Sequence, residues 1–392
     1  MSVRVIVAGG GPAGITAAIS AAKNGASVTV LEAAPKPLKK LLMTGNGRCN
    51  ISNKKINDFS FDSDDEEKLD ELTRKYDSES LAYYFNYLGI MTKSRDGWLY
   101  PVSDSAAAVS KLLLFKAKEL GVKIKTNEVV KAVEKKNGIF KVITSTWTYE
   151  ADRVIIACGT FAHADKAVAS NVFDICSAFQ IKTCPYTPAL VPFTLNADFI
   201  KSWAGVRVQA VGYLYLNDKE LYEEAGEFQL TDYGISGIPV FQISRFLPKD
   251  IGPNDKLKLI LKLLPDIEDE ELEYFLSVRM ADTDCTLNEA LLSLLPEKLI
   301  PVVVSDADSV EKVIANIRGL ELEITGTKSF DEAQICKGGV SLSELDENLQ
   351  AVKVPGLYFA GENTNVDGAC GGYNLHWAWI SGAICGIAAA GE

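Results

Sequence analysis

The sequence predicts an α/β fold in which a parallel sheet, covered by helices, is interrupted by an inserted segment. Residues 3–8 are a short β-branched run, as expected of a strand buried on both faces. A glycine-rich turn and an amphipathic helical pattern follow, and residues 27–31 form a second strand that completes a β-α-β unit. Residues 356–362 again have the pattern of a buried strand, so both ends of the chain are predicted to build one domain.

The composition favours a protein that handles small molecules. A chain of 392 residues with 47% apolar and 23% charged residues suggests two or three globular domains. The net charge of −12 opposes binding to nucleic acid or to an anionic membrane. The apolar stretch at 378–390 is too short and too interrupted to span a bilayer. No nucleic acid and no membrane partner is therefore expected, and the oligomeric state is left open.

The cysteines and histidines indicate reduced thiols rather than a metal site. Eight cysteines occur without C-x-x-C or other regular spacing, and only two histidines accompany them. No signal peptide precedes the first strand. A cytoplasmic protein without a metal is the expectation.

Changes in proline and glycine content mark the two ends of the inserted segment. Three prolines cluster between 185 and 192, and glycine-rich sequence returns at 338. We therefore expect a discontinuous domain of residues 1–190 and 331–392, and an inserted substrate or cap domain of residues 191–330. The insertion is predicted to be β-rich over 191–254 and helical over 255–318, and the acidic stretch 58–80 is predicted to be a solvated helix pair.

The glycine-rich turn has the spacing of a dinucleotide site. Gly9, Gly11 and Gly14 form G-x-G-x-x-G directly between strand and helix, which suits a tight turn, a pyrophosphate at the helix N-terminus and close helix packing. Pro12 lies in the first helical turn, where no N–H is needed. Glu32 ends the second strand, where a carboxylate accepts hydrogen bonds from adenosine ribose hydroxyls.

Three features favour FAD over NAD at this site. Only one such fingerprint occurs in the chain. A strand meander at 128–150, followed by RVIIACG, is how flavoproteins interrupt their nucleotide fold. Glu362, after an Ala-Gly pair, can approach the ribityl chain, and the helix that opens after Gly371-Gly372 can direct its N–H groups at the flavin edge that gains negative charge on reduction. A docking helix with a glycine hinge is the alternative for that last segment.

Five blocks of sequence resemble one bacterial family of NAD(P)/FAD-dependent oxidoreductases, which includes the BaiN flavoprotein and aminoacetone oxidase. They are KKLLMTGNGRCNISN (39–53), GWLYPVSDSAA (97–107), GEFQLTDYGISGIPV (226–240), KGGVSLSEL (337–345) and GLYFAGENTNVDGACGGYNLHWAWISG (356–382). The resemblance implies a Rossmann-like FAD-binding domain of the two-dinucleotide-binding-domain flavoprotein type, interrupted by a β-barrel-like part and a helical part.

The resemblance also implies a set of cofactor contacts. Most lie in the glycine-rich turn, in the GNGRCN loop and around the start of the last helix, and Val130 is expected to contact the adenine through its backbone. The expected FAD-binding residues are Gly9, Gly11, Pro12, Ala13, Gly14, Glu32, Lys40, Gly47, Arg48, Cys49, Asn50, Val130, Gly159, Gly361, Glu362, Gly372, Asn374 and Leu375.

The chain departs from the family pattern near the expected substrate pocket. Most of the glycines usual after the strand ending near Ala157 are absent from residues 157–176. The usual Glu-Val-Leu-Asp is Glu362-Asn-Thr-Asn365 here, Gln is common where His376 stands, and Cys370 replaces a small residue. The substrates of the family therefore cannot be carried over directly.

Several side chains are candidates for chemistry beside the flavin. His376 could relay protons or be a core histidine, Cys370 could be reactive or a spectator, and Tyr373 could donate to a substrate carbonyl or pack. His163 could contact substrate in the altered loop, although a surface role is favoured. Arg48 could order the cofactor loop or contact substrate, and a redox pair of Cys49 with Cys370 is a minor alternative.

Two classes of function follow. The first is an FAD-dependent oxidoreductase that transfers hydride or electrons at flavin N5 between a small organic substrate and NAD(P)H or oxygen. Within it, a reductase of an enone-like substrate and an amine oxidase of the aminoacetone-oxidase type both stay open, with NADH or NADPH as a transient reductant. The second is a flavin-binding protein without turnover, in which FAD is structural or sensing.

Overall fold

A computed structural model describes residues 2–56, 60–162, 169–248, 250–281 and 285–391. They form two compact units. The first combines residues 1–187 with residues 335–392, and the second is residues 188–334. The divisions expected from the sequence, at 190 and 331, lie close to these positions. That the second unit carries substrate stays a prediction.

The elements are numbered in chain order. The strands are β1 (Arg4–Ala8), β2 (Ser27–Glu32), β3 (Ser52–Asn53), β4 (Phe61–Ser63), β5 (Thr92–Arg95), β6 (Trp98–Pro101), β7 (Lys123–Thr126), β8 (Val130–Lys136), β9 (Ile139–Thr144), β10 (Thr148–Ala151), β11 (Arg153–Ile156), β12 (Thr183–Ala189), β13 (Phe193–Leu195), β14 (Arg207–Leu216), β15 (Lys219–Leu230), β16 (Gly234–Ser236), β17 (Leu257–Leu263), β18 (Leu320–Thr327), β19 (Ile335–Val340), β20 (Leu357–Phe359) and β21 (Val366–Gly368). The helices are α1 (Pro12–Lys23), α2 (Glu66–Lys75), α3 (Ser78–Tyr87), α4 (Ala106–Glu119), α5 (Asn171–Ala178), α6 (Ile238–Ser244), α7 (Asp269–Met280), α8 (Leu287–Leu291), α9 (Ile300–Val304), α10 (Val310–Arg318) and α11 (Tyr373–Ala389).

A five-stranded parallel sheet forms the centre of the first unit, in the order β20-β11-β1-β2-β7. Val5 of β1 pairs with Arg153 on one side and with Val28 on the other. Residues 5–8 are buried, because helices cover a parallel sheet on both faces. The predicted α/β fold with a β-α-β start is confirmed.

Helices α1 and α11 pack against each other unusually closely. A Cβ on Gly382 would lie 2.3 Å from the carbonyl oxygen of Ala13, and one on Gly386 would lie 2.3 Å from that of Ala17. Small residues on both helices therefore let the backbones touch. This contact fixes the N-terminus of α11 relative to the glycine-rich turn that precedes α1.

Smaller sheets flank the central one. Strands β8, β9 and β10 form the antiparallel meander expected over 128–150, and β3, β6 and β5 form a three-stranded sheet. The acidic stretch contains the expected helix pair as α2 and α3, with α3 continuing to Tyr87 and the short strand β4 preceding α2. Residues 57–59 of that stretch lie outside the described part.

The second unit is a closed barrel of β13-β16-β15-β14-β17-β18 together with helices α6 to α10. The β-barrel-like part is confirmed. The segment predicted to be helical over 255–318 opens instead with strand β17, whose residues alternate between buried and half-buried. Its sequence LKLILKL alternates with a period of two, which is the signal of a strand.

Across the described residues, no helix is both long enough and apolar enough to cross a membrane. Within the same ranges, no group of three or more His, Cys, Asp or Glu side chains is arranged to hold a metal ion. All eight cysteines are free thiols.

Candidate functional site

Glycine stands at positions 9, 11 and 14 of the first turn for different structural reasons. Gly9 has φ +103°, and a Cβ there would lie 2.2 Å from the carbonyl oxygen of Ala157. A Cβ on Gly14 would lie 2.0 Å from the carbonyl oxygen of Gly9. The backbone of Gly11 is extended, with φ −74°, and no atom lies within 4 Å of its Cβ position. Because the chain does not require glycine at 11, the open space beside it fits a group bound from outside, such as a pyrophosphate at the N-terminus of α1.

Glu32 is held at the edge of this turn by two backbone donors. The N–H of Gly10 donates to Oε2 at 2.6 Å, and the N–H of Ala34 donates to Oε1 at 2.7 Å. The side chain is half-buried, and each carboxylate oxygen can accept a further hydrogen bond. This orientation suits the pair of ribose hydroxyls expected from the sequence.

Glu362, after β20, is the centre of a second polar group. Lys40 Nζ lies 2.9 Å from both of its carboxylate oxygens, and Thr160 Oγ1 donates to Oε2 at 2.9 Å. Lys40 and Glu362, both predicted as cofactor contacts, are therefore in direct contact. Sequence reasoning missed Thr160, because a hydroxyl in a changed loop carries no signal of its own.

The changed loop after β11 is tied to the changed segment after β20. Asn363 Nδ2 donates to the carbonyl oxygen of Gly159 at 2.8 Å, and the N–H of Gly159 donates to Asn363 Oδ1 at 3.2 Å. Asn363 is fully buried. The side chain of Asn363 therefore holds the backbone of Gly159, at the start of the changed loop, through both its N–H and its carbonyl oxygen. His163 and the rest of residues 163–168 lie outside the described part of the chain.

The GNGRCN loop turns through left-handed backbone. Gly45, Asn46 and Gly47 have φ of 56°, 53° and 81°, and Arg48 is exposed. Cys49 is completely buried, and burial raises the pKa of its thiol to about 12. The thiol is enclosed by protein and uncharged, so only the backbone of Cys49 is available for the predicted contact with the cofactor. This burial argues against the redox pair with Cys370.

A buried acceptor lies beside the start of α11. A Cβ on Gly372, which has φ +100°, would lie 2.7 Å from Asn50 Oδ1. That oxygen is buried and has no hydrogen-bond partner within the described ranges. An unpaired buried acceptor is costly unless a donor reaches it. A flavin ring carries one N–H on its pyrimidine edge, so Asn50 fits the predicted cofactor.

The side chain of Asn374 holds the turn before α11 through two hydrogen bonds to its backbone. Its Oδ1 accepts from the N–H of Gly368 at 2.8 Å, and its Nδ2 donates to the carbonyl oxygen of Gly368 at 2.7 Å. Leu375, in the first turn of the helix, is half-buried. The side chain of Asn374 therefore acts on the backbone, and it is not free to reach a ligand with those atoms.

His376 lies in the protein core. Its ring is 0% exposed, Nδ1 is 2.8 Å from Ser52 Oγ, and Phe61 packs against it. Burial lowers the pKa of His376 to about 4, so the ring is neutral near pH 7. No part of the ring is accessible to a substrate, which favours the core interpretation over a proton relay.

Tyr373 and Cys370, the other two catalytic candidates, differ in how far their side chains are already engaged by the protein. The hydroxyl of Tyr373 donates to the carbonyl oxygen of Lys55 at 2.7 Å, and its ring packs edge-on against Phe61 at 5.7 Å. This favours packing over a substrate contact. Cys370 is half-buried in the turn before α11 and stays a candidate.

Val130 is contacted by Asn171, which belongs to the segment 157–176 that departs from the family pattern. Its carbonyl oxygen accepts from Asn171 Nδ2 at 2.9 Å, at the start of α5. The carbonyl oxygen keeps one lone pair for another donor. Asn171 was not expected from the sequence, because its partner lies 41 residues away.

Comparisons with known proteins show which family and which relatives the chain resembles. The family profile described as the HI0933-like protein Rossmann domain matches residues 3–388. The chain is 35% identical to a 3-dehydro-bile acid delta(4,6)-reductase of Clostridium scindens, over 99% of each chain. It is 28% identical to a ribosomal RNA dihydrouridine synthase of Escherichia coli, over 97% of this chain and 96% of the other.

Among solved structures, the chain resembles a 3-ketosteroid-delta4-(5alpha)-dehydrogenase from Rhodococcus jostii RHA1. The TM-score is 0.55 at 16% sequence identity, and the match covers 99% of this chain and 96% of the other. At this identity the likeness concerns the fold, and it agrees with a flavoprotein architecture.

Proposed function

Because the chain belongs to the HI0933-like Rossmann-domain family, we propose that it is an FAD-dependent reductase of conjugated carbonyl compounds. The reaction is the saturation of a carbon–carbon double bond conjugated to a carbonyl group in a small organic molecule. NADH or NADPH supplies the electrons. The chain is an FAD-dependent oxidoreductase, and the choice of substrate and reductant is the proposal.

The observation that carries the proposal is the 35% identity, over 99% of both chains, to a relative whose name specifies a 3-oxo bile acid with double bonds at positions 4 and 6. Such double bonds are conjugated to the carbonyl group. The second relative is named for dihydrouridine, in which the double bond next to a uracil carbonyl is saturated. The two named reactions share one chemistry: hydride adds to the carbon of the conjugated double bond that is farther from the carbonyl group, and a proton adds to the nearer carbon.

The residues of the first unit fit this role. The open side of Gly11 and the N-terminus of α1 would hold the pyrophosphate, and Glu32 would hold the adenosine ribose. Bound FAD supplies the hydride acceptor and donor. Asn50 Oδ1 would accept a hydrogen bond from the N–H at the pyrimidine edge of the ring, and the N–H groups at the N-terminus of α11 would favour the reduced, more negative form.

The charge distribution favours a small substrate over ribosomal RNA. The second unit carries 26 Asp and Glu residues against 13 Lys and Arg, a net charge of −13, whereas the first unit carries a net charge of +1. A polyanion is repelled by such a surface, and RNA-binding units usually have the opposite balance. Ribosomal RNA is therefore the second candidate substrate, supported by the names of relatives rather than by the charge of this chain.

The remaining alternatives have less support. The two named relatives carry out reductive saturation or are named for its product, and neither is an amine oxidase. The flavin-binding protein without turnover was motivated by the changed loop, and Asn363 and Thr160 hold that loop in a defined geometry. With one dinucleotide fingerprint in the chain, the nicotinamide cofactor would visit the flavin transiently. A cytoplasmic location remains part of the proposal.

The test is to compare acceptors under one set of conditions. The FAD-loaded protein is mixed without oxygen with NADH or NADPH, and then with a 3-oxo-4,6-diene bile acid or with unmodified ribosomal RNA. We expect the diene absorbance to disappear as NAD(P)H is consumed. Dihydrouridine in the RNA with no change in the diene would transfer the proposal to the second candidate. Aminoacetone oxidation under oxygen, with neither reduction, would refute it.

A further inference from the structure

Five side chains share one face of the small sheet formed by β3, β6 and β5. In this sheet Arg95 pairs with Trp98, Trp98 pairs with Asn53, and Lys93 pairs with Tyr100. Paired residues on neighbouring strands point to the same side, and residues two apart on one strand do as well. Asn53, Lys93, Arg95, Trp98 and Tyr100 therefore form one surface, which we call the hairpin face.

The hairpin face borders the segments assigned to the flavin ring. Asn53 Nδ2 donates to the carbonyl oxygen of Gly371 at 3.1 Å, and a Cβ on Gly371 would lie 3.3 Å from the indole of Trp98. A Cβ on Gly45 would lie 3.4 Å from the ring of Tyr100. The turn before α11 and the GNGRCN loop thus both lie against this face.

Positive charge exceeds negative charge at the hairpin face. Asp104 Oδ2 accepts a hydrogen bond from Lys93, and Arg95 Nη2 lies 3.9 Å from the same oxygen. Arg48 forms no ion pair with a described residue. The pKa of Asp104 is held below its usual range first by the hydrogen bond from Lys93, and further by the charges of Lys93, Arg95 and Arg48. Lys93 and Arg95 therefore share the carboxylate of Asp104, and Arg48 adds a third positive charge that acts on it, in a chain that is acidic as a whole.

The cations remain accessible and lie beside aromatic surface. The side chain of Arg95 is 54% exposed, and its guanidinium carbon is 5.9 Å from the centre of the Tyr100 ring. The rings of Trp98 and Tyr100 are 6.5 Å apart, and Trp98 is only half-buried. Accessible guanidinium groups next to an indole suit a ligand that combines an oxyanion with a flat or alicyclic ring system.

We propose that Arg48, Lys93 and Arg95 bind an oxyanion of the molecule that exchanges electrons with the flavin, while Trp98 packs against its ring system. This inference rests on the proposed function. The oxyanion is the carboxylate of the substrate or a phosphate of the nicotinamide cofactor, which present the same chemistry to the guanidinium groups. In either case the hairpin face sets which molecule binds beside the flavin.

The test measures binding to the FAD-loaded protein. The bile acid and its ester are titrated against the oxidised protein and followed by the change in the flavin spectrum, whereas NADPH is titrated without oxygen against the reduced protein, which it cannot reduce further, and is followed by its own fluorescence. The probes are a 3-oxo-4,6-diene bile acid, its methyl ester and NADPH, and the variant is the double substitution Lys93→Gln and Arg95→Gln. We expect the dissociation constant of one anionic probe to rise about tenfold or more, with the uncharged ester unaffected. A rise for the acid identifies the substrate as the source of the oxyanion, and a rise for NADPH identifies the cofactor.

Arg74→Gln, on exposed helix α2, is the matched control and should bind all probes as the wild type does. A measurement without any variant adds a check on folding, because raising the salt concentration should weaken the anionic probe and leave the ester unchanged. The proposal is overturned if the double variant binds the acid and NADPH within about twofold of the wild type. It is also overturned if wild-type binding of both is independent of salt or absent.

These readouts need no turnover. If no carbonyl compound is reduced but the acid or NADPH binds with the expected charge dependence, the proposed reaction fails while the hairpin face stands. If a carbonyl compound is reduced but binding of the acid and of NADPH does not depend on their charge, the proposed reaction stands and the role of the hairpin face is refuted.

Discussion

Lys40 and Glu362 form an ion pair between residues 322 positions apart in the sequence, with Lys40 Nζ 2.9 Å from both carboxylate oxygens. Their side chains are 33% and 19% exposed, so solvent weakens the pair only in part. The pair joins the segment before the GNGRCN loop to the end of β20. It also fixes the carboxylate to which Thr160 donates, and so it connects three segments around the proposed flavin site.

The ion pair should contribute to stability and to cofactor affinity. Glu362→Gln removes the charge, and we expect it to lower the free energy of unfolding by about 1 kcal/mol and to weaken FAD binding. In a double-mutant cycle with Lys40→Met, the two losses should be less than additive, because both remove the same contact. Urea unfolding of the FAD-free protein measures the cycle. Strict additivity would show that the pair contributes nothing.

Gly11→Ala should affect the cofactor without affecting the fold. Its Cβ meets no atom of the chain and the backbone there is ordinary, so the melting temperature of the FAD-free protein should be unchanged. The FAD dissociation constant should rise about tenfold or more, because the methyl group occupies the space of the pyrophosphate. Titration with FAD, followed by fluorescence, gives this value.

Gly14→Ala is the matched comparison. Its Cβ would lie 2.0 Å from the carbonyl oxygen of Gly9, so we expect a loss of about 2 kcal/mol or more in stability before any ligand is added. If Gly11→Ala destabilised the FAD-free protein equally and bound FAD normally, the assignment of the open space to a ligand would be wrong.

His376 should make stability depend on pH. The unfolded chain has a histidine pKa of about 6.5, whereas the folded pKa is about 4. Below the unfolded value the unfolded state binds a proton that the folded state does not, so stability falls as pH falls through this window. The loss is at most about 3 kcal/mol.

The measurement for His376 is urea unfolding of the wild type and of His376→Asn, which retains a partner for Ser52. The variant should be less stable near neutral pH, because it loses ring packing, and the gap should narrow towards about pH 5. Carboxylates titrate in both proteins and cancel in the difference. A gap that stays constant would contradict the burial and neutrality of the ring.

Asn363→Val restores the residue usual in the family and should be harmful here. It leaves the N–H and the carbonyl oxygen of Gly159 without the side-chain partners that Asn363 supplies, which should cost about 2 to 3 kcal/mol. Asn348→Val, at an exposed turn, should change stability by less than about 0.5 kcal/mol. Urea unfolding of both variants checks this, and equal effects would mean that the loop does not depend on Asn363.

The local parts of the fold were predictable from the sequence. The β-α-β start follows from a β-branched run, a glycine turn and a helical period, all within residues 3–31. Strand β17 was missed although its alternation was visible, because helical patterns follow it and determined the interpretation of the whole segment. The closure of the barrel depends on pairings between distant strands, which local patterns do not encode.

The candidate site was predictable in its residues and less so in their roles. The sequence singled out Lys40 and Glu362 but not their contact, which arises from the tertiary fold. His376 was open between two roles because Ser52, its hydrogen-bond partner, lies 324 residues away. Gly159 was predicted as a cofactor contact and Asn363 was recognised as a departure from the family pattern, and the structure shows that the two are hydrogen-bond partners.

A single turnover of the reduced protein shows whether the flavin passes its electrons to a conjugated carbonyl compound. The FAD-loaded protein is reduced without oxygen, separated from excess reductant and mixed rapidly with a 3-oxo-4,6-diene bile acid. We expect the oxidised flavin spectrum to return as the diene absorbance is lost, with one double bond saturated for each flavin reoxidised. A flavin that stays reduced in the presence of the diene, and is reoxidised only by oxygen, would contradict the proposed reaction.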